Sequence, residues 1–230
     1  MQRLVLFDVD GTLLDTGGAG GRAVRRAMEE LFGTAGPVDD YSFAGKTDTR
    51  IARDLLSAAG VPADTIDARE DALWERYVSY LEEELEDGAT RALPGIPRLL
   101  DRVEAAVERA VLGLLTGNIP GGAQAKLSAA QIEFERFRIG AFGSDHADRA
   151  RLPAVAVHRA FHSTGRRFER KEIVIVGDTP ADISCGESLG VKTVAVATGS
   201  YTRDELAAHR PDHLFDSFAE VDEALEAILA

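Results

Sequence analysis

The run Leu4-Val5-Leu6-Phe7, followed at once by Asp8-Val9-Asp10-Gly11-Thr12, constrains this chain more than any other feature. Four apolar residues bounded by a turn signal read as a strand buried on both faces, the kind found in parallel sheets. In open α/β sheets ligands bind beyond the carboxyl ends of the strands. Two carboxylates delivered to such an end repel each other and call for a cation. Mg²⁺, which takes one or two carboxylates together with phosphate oxygens, matches that demand. An isolated D-x-D would read more simply as a polar turn capping a helix, so the rest of the chain has to decide.

Bulk properties narrow the classes. With 230 residues the chain suits one core of moderate size carrying a smaller insertion. Its hydrophobic fraction of 45% and charged fraction of 28% are those of an ordinary globular protein. A formal net charge of −13 argues against nucleic acid or an anionic membrane as partner, while leaving room for a small anionic substrate in a local positive pocket. Cys185 is the only cysteine, so no intrachain disulfide can form. Met1-Gln2-Arg3 runs into the first strand without a signal-peptide pattern, and no apolar run has the length of a membrane span. The expectation is a cytoplasmic monomer or homodimer acting on a small metabolite.

The period of the apolar residues changes along the chain. Thr16 to Gly21 is glycine-rich and reads as a hinge. Helical spacing follows over Arg22 to Phe32, Thr47 to Ala59 and, as one long helix, Asp64 to Asp87. From Leu93 strands and helices alternate. Helix Ile96 to Glu108 precedes strand Val111 to Leu115, helix Ala123 to Gln131 and a strand near Phe137 to Phe142. Helix Pro153 to Ser163, strand Ile173 to Val176, helix Ala181 to Leu189, strand Thr193 to Ala197, a short strand at His213 to Phe215 and helix Phe218 to Leu229 complete the chain. Such alternation implies βαβ units and a mostly parallel sheet. The expected fold is therefore α/β: a Rossmann-like parallel-sheet core formed by residues 1–16 and 91–230, with an all-helical cap inserted over 17–90.

Three of the apolar strands end in polar signatures: Asp8-Val9-Asp10, Thr116-Gly117-Asn118 and Gly177-Asp178-Thr179-Pro180-Ala181-Asp182. In a parallel sheet these endings share one edge. Each alone reads as a helix cap or a turn. Together, in this order and flanking a helical insertion, they resemble the first, second and fourth motifs of the haloacid dehalogenase superfamily, over nearly the whole chain. The similarity is greatest to the branch with phosphoglycolate phosphatase and β-phosphoglucomutase.

That resemblance implies a Mg²⁺-dependent phosphatase working through an aspartyl-phosphate. Asp8 would be the nucleophile and Asp10 the acid and base for the leaving oxygen and the attacking water. Metal would be held by Asp8, Asp178 and the backbone carbonyl of Asp10, with Asp182 as a further or supporting carboxylate. Thr116 would hydrogen-bond a phosphoryl oxygen, helped by backbone N–H groups near Gly11, Thr12, Gly117 and Asn118. Asn118 reads equally as a turn residue before Ile119-Pro120. The family's third motif is usually a lysine, and none lies between Lys126 and Lys171. Arg149 is the substitute cation, with Arg151 second, because arginine keeps the charge and offers a fork suited to phosphate. Gly45-Lys46-Thr47-Asp48 is the cap loop expected to face the crevice, where Lys46 either attracts an anionic substrate tail or is a surface lysine flanking a helix.

Rival readings are a sugar phosphomutase using the same two aspartates, the hydrolytic dehalogenases, whose position equivalent to Asp10 is not aspartate, and a catalytically impaired binding protein. A P-loop reading of Gly45-Lys46-Thr47 fails because position 40 is Asp40 and not glycine. His158 and His162 read as surface histidines and Cys185 as a buried structural thiol.

Overall fold

The computed structural model describes residues 2–86 and 88–230. Met1 and Asp87, which end two of the expected spans, lie outside the described residues. The strands are β1 (Arg3–Phe7), β2 (Leu14–Asp15), β3 (Arg91–Ala92), β4 (Ala110–Leu115), β5 (Ile139–Ala141), β6 (Ile173–Gly177), β7 (Lys192–Val196) and β8 (His213–Phe215). The helices are α1 (Ala19–Phe32), α2 (Asp48–Ala58), α3 (Ala63–Ala68), α4 (Glu70–Leu85), α5 (Ile96–Ala105), α6 (Pro120–Ala129), α7 (Leu152–Thr164), α8 (Pro180–Ser184), α9 (Arg203–Ala208) and α10 (Val221–Leu229).

Six strands pair in the order β5-β4-β1-β6-β7-β8, every pair parallel. The near-continuous apolar reading of β1 follows from burial on both faces. Val5 and Phe7 point into one core with Leu112, Leu114, Val174 and Val176, closed by Leu99, Val103 and Ile228. Leu4 and Leu6 point into the other with Val111, Ile173 and Ile175, closed by Leu152, Ala156 and Ala160. Because β4, β1 and β6 are neighbours in register, with Leu6 opposite both Gly113 and Ile175, the polar segments that follow them emerge side by side at one edge.

Helices α1 to α4 bury a separate apolar cluster that includes Met28, Leu55, Leu56, Leu73, Tyr77 and Leu81. The chain crosses to and from these helices through β2 and β3, which pair antiparallel, Leu14 with Ala92 and Asp15 with Arg91. An Arg91–Asp15 ion pair of 3.2 Å lies on this ribbon. The left-handed turn after it is confined to Gly17 and Gly18, at φ 58° and 84°, values that favour glycine. The expected hinge over Thr16 to Gly21 is therefore shorter: Gly20 and Gly21 belong to the first turn of α1. A Cβ at Gly20 would stand 3.2 Å from Lys126 Nζ, so that glycine serves close approach between layers.

Other expected elements shift for physical reasons. The single helix from Asp64 divides at Arg69 (φ −115°, ψ 6°), a break that lets Ile66 of α3 and Leu73 of α4 both be buried. The helix expected over Ala181 to Leu189 stops at Ser184, and a separate 3₁₀ turn covers Glu187–Leu189. The two-residue strands β2 and β3 and the short α9 are too brief to show a period in the sequence.

The helical layer meets the sheet edge at the start of α2. Thr47 caps that helix, accepting from Arg50 N–H. Asp48 N–H donates to Gly117 O (2.7 Å), Ile119 N–H to Asp48 Oδ2 (2.8 Å), Thr47 Oγ1 to Ala147 O (2.8 Å) and Thr49 Oγ1 to Gly143 O (2.7 Å). A Cβ at Gly117 would lie 2.0 Å from Lys46 O, which contact does not allow. Gly117→Ala should therefore push α2 off the edge, and hydrogen exchange at the Asp48 amide should accelerate relative to wild type while amides of β1 and β6 stay protected.

Candidate active site

Asp8 leaves β1 only 6% exposed, with its N–H donating to Val176 O (2.9 Å). Across the edge, the segment after β6 delivers Asp178 and, in the first turn of α8, Asp182. These three carboxylates each offer an oxygen within 4.8 Å of the others. Asp178 accepts at Oδ1 from Thr12 Oγ1 (3.2 Å). Its Oδ2 faces Gly11 and Gly199, where an added Cβ would stand 2.4 Å and 1.7 Å away, so two residues without side chains make the room for it. Asp182 Oδ2 accepts from Thr179 N–H (3.0 Å) and Oγ1 (2.6 Å), closing a capping box, and its Oδ1 accepts from Arg149. Both Asp182 oxygens are thus already engaged, which suits a supporting carboxylate better than a direct ligand.

Arg149 stands at the start of α7 on a 3₁₀ turn capped by Asp148. Its guanidinium, 7% exposed, reaches Asp8 Oδ1 at 3.2 Å and pairs with Asp182. Burial works against its charge, but Asp182 and Asp8 more than offset this and hold it protonated. The guanidinium Nε is buried without a hydrogen-bond partner among the described residues. Arg151 is exposed on the same turn. Of the two arginines expected for this role, the structure brings Arg149 to the aspartates and leaves Arg151 outside.

One arginine does not balance three carboxylates. Burial pushes the Asp8 carboxyl up to about 6; Arg149 opposes the rise, and Asp182 and Asp10 add to it. Asp178 is pushed well above the usual carboxylate range by burial and then by Asp182 and Asp8. The donor set is all oxygen and carries excess negative charge, the chemistry that a hard divalent cation answers.

Asp10 turns away from this cluster, its side chain 43% exposed toward a cavity. Lys126, from α6, donates to Asp10 Oδ1 (2.9 Å) and Oδ2 (2.7 Å) and to Asn118 Oδ1 (2.6 Å). Asn118 Nδ2 donates to Asp10 Oδ2 (2.8 Å) and to Thr116 Oγ1 (2.8 Å). Asn118, one of the two readings of which was a plain turn residue, is thus buried inside a network. Sequence reasoning missed Lys126. Its signal was there: it lies on the same helix face as the buried Gly122 and Ala123, four and three positions before it, where a lysine needs a partner.

The expected group of backbone donors contracts. Gly11 N–H is spent on Leu14 O (2.9 Å), Thr12 N–H on Val9 O (3.3 Å) and Asn118 N–H on Thr116 Oγ1 (3.3 Å), because the turns after β1 and β4 are closed by their own bonds. Among the four amides expected, this leaves Gly117 as the donor without such a bond. The Thr116 hydroxyl, fully buried, lies at the cavity wall.

The cavity, of about 640 Å³, lies between the sheet edge and the helical layer. Val24, Phe43, Ile51 and Tyr77 form an apolar wall on the helical side. Lys46 lines it too, with its ammonium 3.6 Å from the centre of the Tyr41 ring. Asp48, in the loop expected to face the crevice but given no role of its own from sequence, is pushed up to about 6 by burial, against the pull of Lys126 and the Ile119 N–H. His158 and His162 face solvent on α7, and Cys185 is buried with its thiol pushed up to about 12 by burial, as a structural thiol would be.

Residues 5–196 match the sequence profile of the haloacid dehalogenase-like hydrolases. The chain belongs to that family. A 5'-nucleotidase of Pseudomonas aeruginosa is 28% identical over 97% of this chain and 95% of its own. A phosphoglycolate phosphatase of Pasteurella multocida is 26% identical over 97% and 98%. Among solved structures, a hydrolase from Pseudomonas syringae superposes with a TM-score of 0.71 at 18% identity, over 100% of both chains. The family, its phosphatase members and the acidic cluster together make this protein a phosphatase of the haloacid dehalogenase type.

Arg149→Ala should lower unfolding free energy by about 3–5 kcal/mol at pH 7, because it strands buried carboxylates. The raised Asp8 carboxyl costs stability as pH rises through about 6, and removing its cation deepens that cost. Measured by urea denaturation, the gap between variant and wild type should therefore narrow as pH falls from about 7 to 5. Arg151→Ala should stay within about 0.5 kcal/mol at every pH.

Proposed function

We propose that this chain hydrolyses a small phosphomonoester by passing its phosphoryl group to Asp8 and then to water. The observation that carries this reading is the convergence of Asp8, Asp178, Asp182 and Arg149 at one rim, with Asp10 and Thr116 facing the same cavity. Mg²⁺ is the cation we assign to the rim, held by Asp8, Asp178 and the Asp10 carbonyl, with Asp182 behind them. Bound there, it would neutralise the carboxylates and the phosphoryl oxygens and so let one anion approach another.

The chain's own groups do the rest. An Asp8 oxygen attacks phosphorus, the bond from phosphorus to the leaving oxygen breaks, and that oxygen takes a proton from the Asp10 carboxyl. Water then attacks phosphorus and gives a proton back to Asp10, while the bond from phosphorus to Asp8 breaks. The unpartnered Nε–H of Arg149, the Thr116 hydroxyl and the Gly117 amide are donors for phosphoryl oxygens. Residues 17–90 act as a cap over residues 1–16 and 91–230, bending at the β2–β3 ribbon to admit substrate and exclude bulk water. Lys46 attracts an anionic substrate tail from the Tyr41 ring. The substrate class we assign is a phosphoglycolate-like acid or a sugar phosphate, met in the cytoplasm. Nothing in the cavity favours the phosphomutase.

Asp8→Asn should reduce phosphate release by at least about 10³-fold with the fold intact by circular dichroism. EDTA should do the same to wild type, and added Mg²⁺ should restore it, in a screen of phosphorylated metabolites. Activity surviving the substitution would remove the covalent route.

A further inference from the structure

Lys126 is buried, charged and absent from every role assigned above. Its ammonium has three donors and meets three acceptors: both oxygens of Asp10, at 2.9 and 2.7 Å, and Asn118 Oδ1, at 2.6 Å. An ammonium has no acceptor to offer, so the Asn118 amide has one allowed orientation, with oxygen toward Lys126. Its two N–H groups are then fixed on Asp10 Oδ2 and Thr116 Oγ1, both at 2.8 Å.

Two consequences follow from counting lone pairs. Asp10 Oδ2 accepts from both Lys126 and Asn118, whereas Oδ1 accepts from Lys126 alone. Oδ1 is therefore the Asp10 oxygen with a lone pair left over for the substrate side. Thr116 Oγ1 accepts from Asn118 Nδ2 and from Asn118 N–H (3.3 Å), so both its lone pairs are used and its hydroxyl proton is left to donate toward the cavity.

We propose that Lys126 is a positioning residue for phosphoryl transfer: one buried ammonium fixes the Asn118 amide, which leaves Oδ1 as the less engaged oxygen of Asp10 and aims the Thr116 hydroxyl. This rests on the phosphatase reading and adds to it a residue from α6, outside the three strand endings. Gly20 belongs to the same device, since any side chain there would meet the Lys126 ammonium from the helical layer.

The test uses the full chain with Mg²⁺ and compares wild type, Asp8→Asn, Lys126→Met and Lys126→Gln on p-nitrophenyl phosphate and on an alkyl phosphomonoester. The nitrophenolate departs without needing a proton, whereas an alkoxide does not. Turnover by wild type and its loss in Asp8→Asn check the underlying reading on its own; no turnover by wild type sinks both. In Lys126→Met, kcat/KM on the alkyl ester should fall about 10²- to 10³-fold, and on the aryl ester at least about tenfold less than that. A fall of the same size on both esters, or none, overturns the proposal, because a merely structural lysine has no reason to sense the leaving group. Lys126→Gln keeps a donor and the fold should Lys126→Met not accumulate, and it must show the same asymmetry. The double variant Lys126→Met with Asn118→Ala should be within about threefold of Lys126→Met alone. Independent, multiplying losses would break the link through Asn118.

Discussion

Repulsion among buried carboxylates organises this molecule. Asp8, Asp178 and Asp182 are held within reach of one another although each would be better solvated apart. Neighbours compensate in several ways at once: a guanidinium from the turn before α7, the Thr12 and Thr179 hydroxyls, and a capping box at α8. The compensating groups come from three places: the turn after β1, the segment after β6 and the turn before α7. The parallel order β4-β1-β6 is what makes those arrivals coincide.

The edge carries two electrostatic compartments. One holds Asp8, Asp178 and Asp182 around Arg149, negative in sum and fitted to a cation. The other pairs Asp10 with Lys126 and is neutral in sum. Asp8 and Asp10 are two positions apart, yet they are handed to different neighbours. Two like groups are thus given different surroundings, one in a buried acidic cluster and one clamped by an ammonium at the cavity.

Much of this was legible in the sequence because it was carried by strong local signals. The apolar runs at Leu4, Val111 and Ile173 showed buried strands, and the residues just after each showed which edge would be polar. Arg149 was found through the family resemblance, as the cation nearest the place where that pattern usually has a lysine. The remainder depended on facts with no local signature. Whether an amide is free or spent depends on turn closure, and so the Gly11, Thr12 and Asn118 N–H groups were read as open donors when they close their own turns. Lys126, eight residues past Asn118, showed itself as a lysine on a buried helix face, but its partners Asp10 and Asn118 are set by tertiary packing and had no local sign. Asp48 depends on how two layers dock, which no period reveals. The break at Arg69 and the pairing of β2 with β3 are settled by tertiary contact and not by propensity.

The β2–β3 ribbon has a mechanical corollary. Both passages of the chain between the sheet and the helical layer are hydrogen-bonded to each other, Leu14 beside Ala92 and Asp15 beside Arg91. Neither passage can swivel without carrying its neighbour, so independent twisting is suppressed and the compliant direction is flexing across the pair, next to Gly17 and Gly18. The four helices are thereby joined to the sheet through one paired ribbon, and the start of α2 is seated separately at Gly117, Gly143 and Ala147.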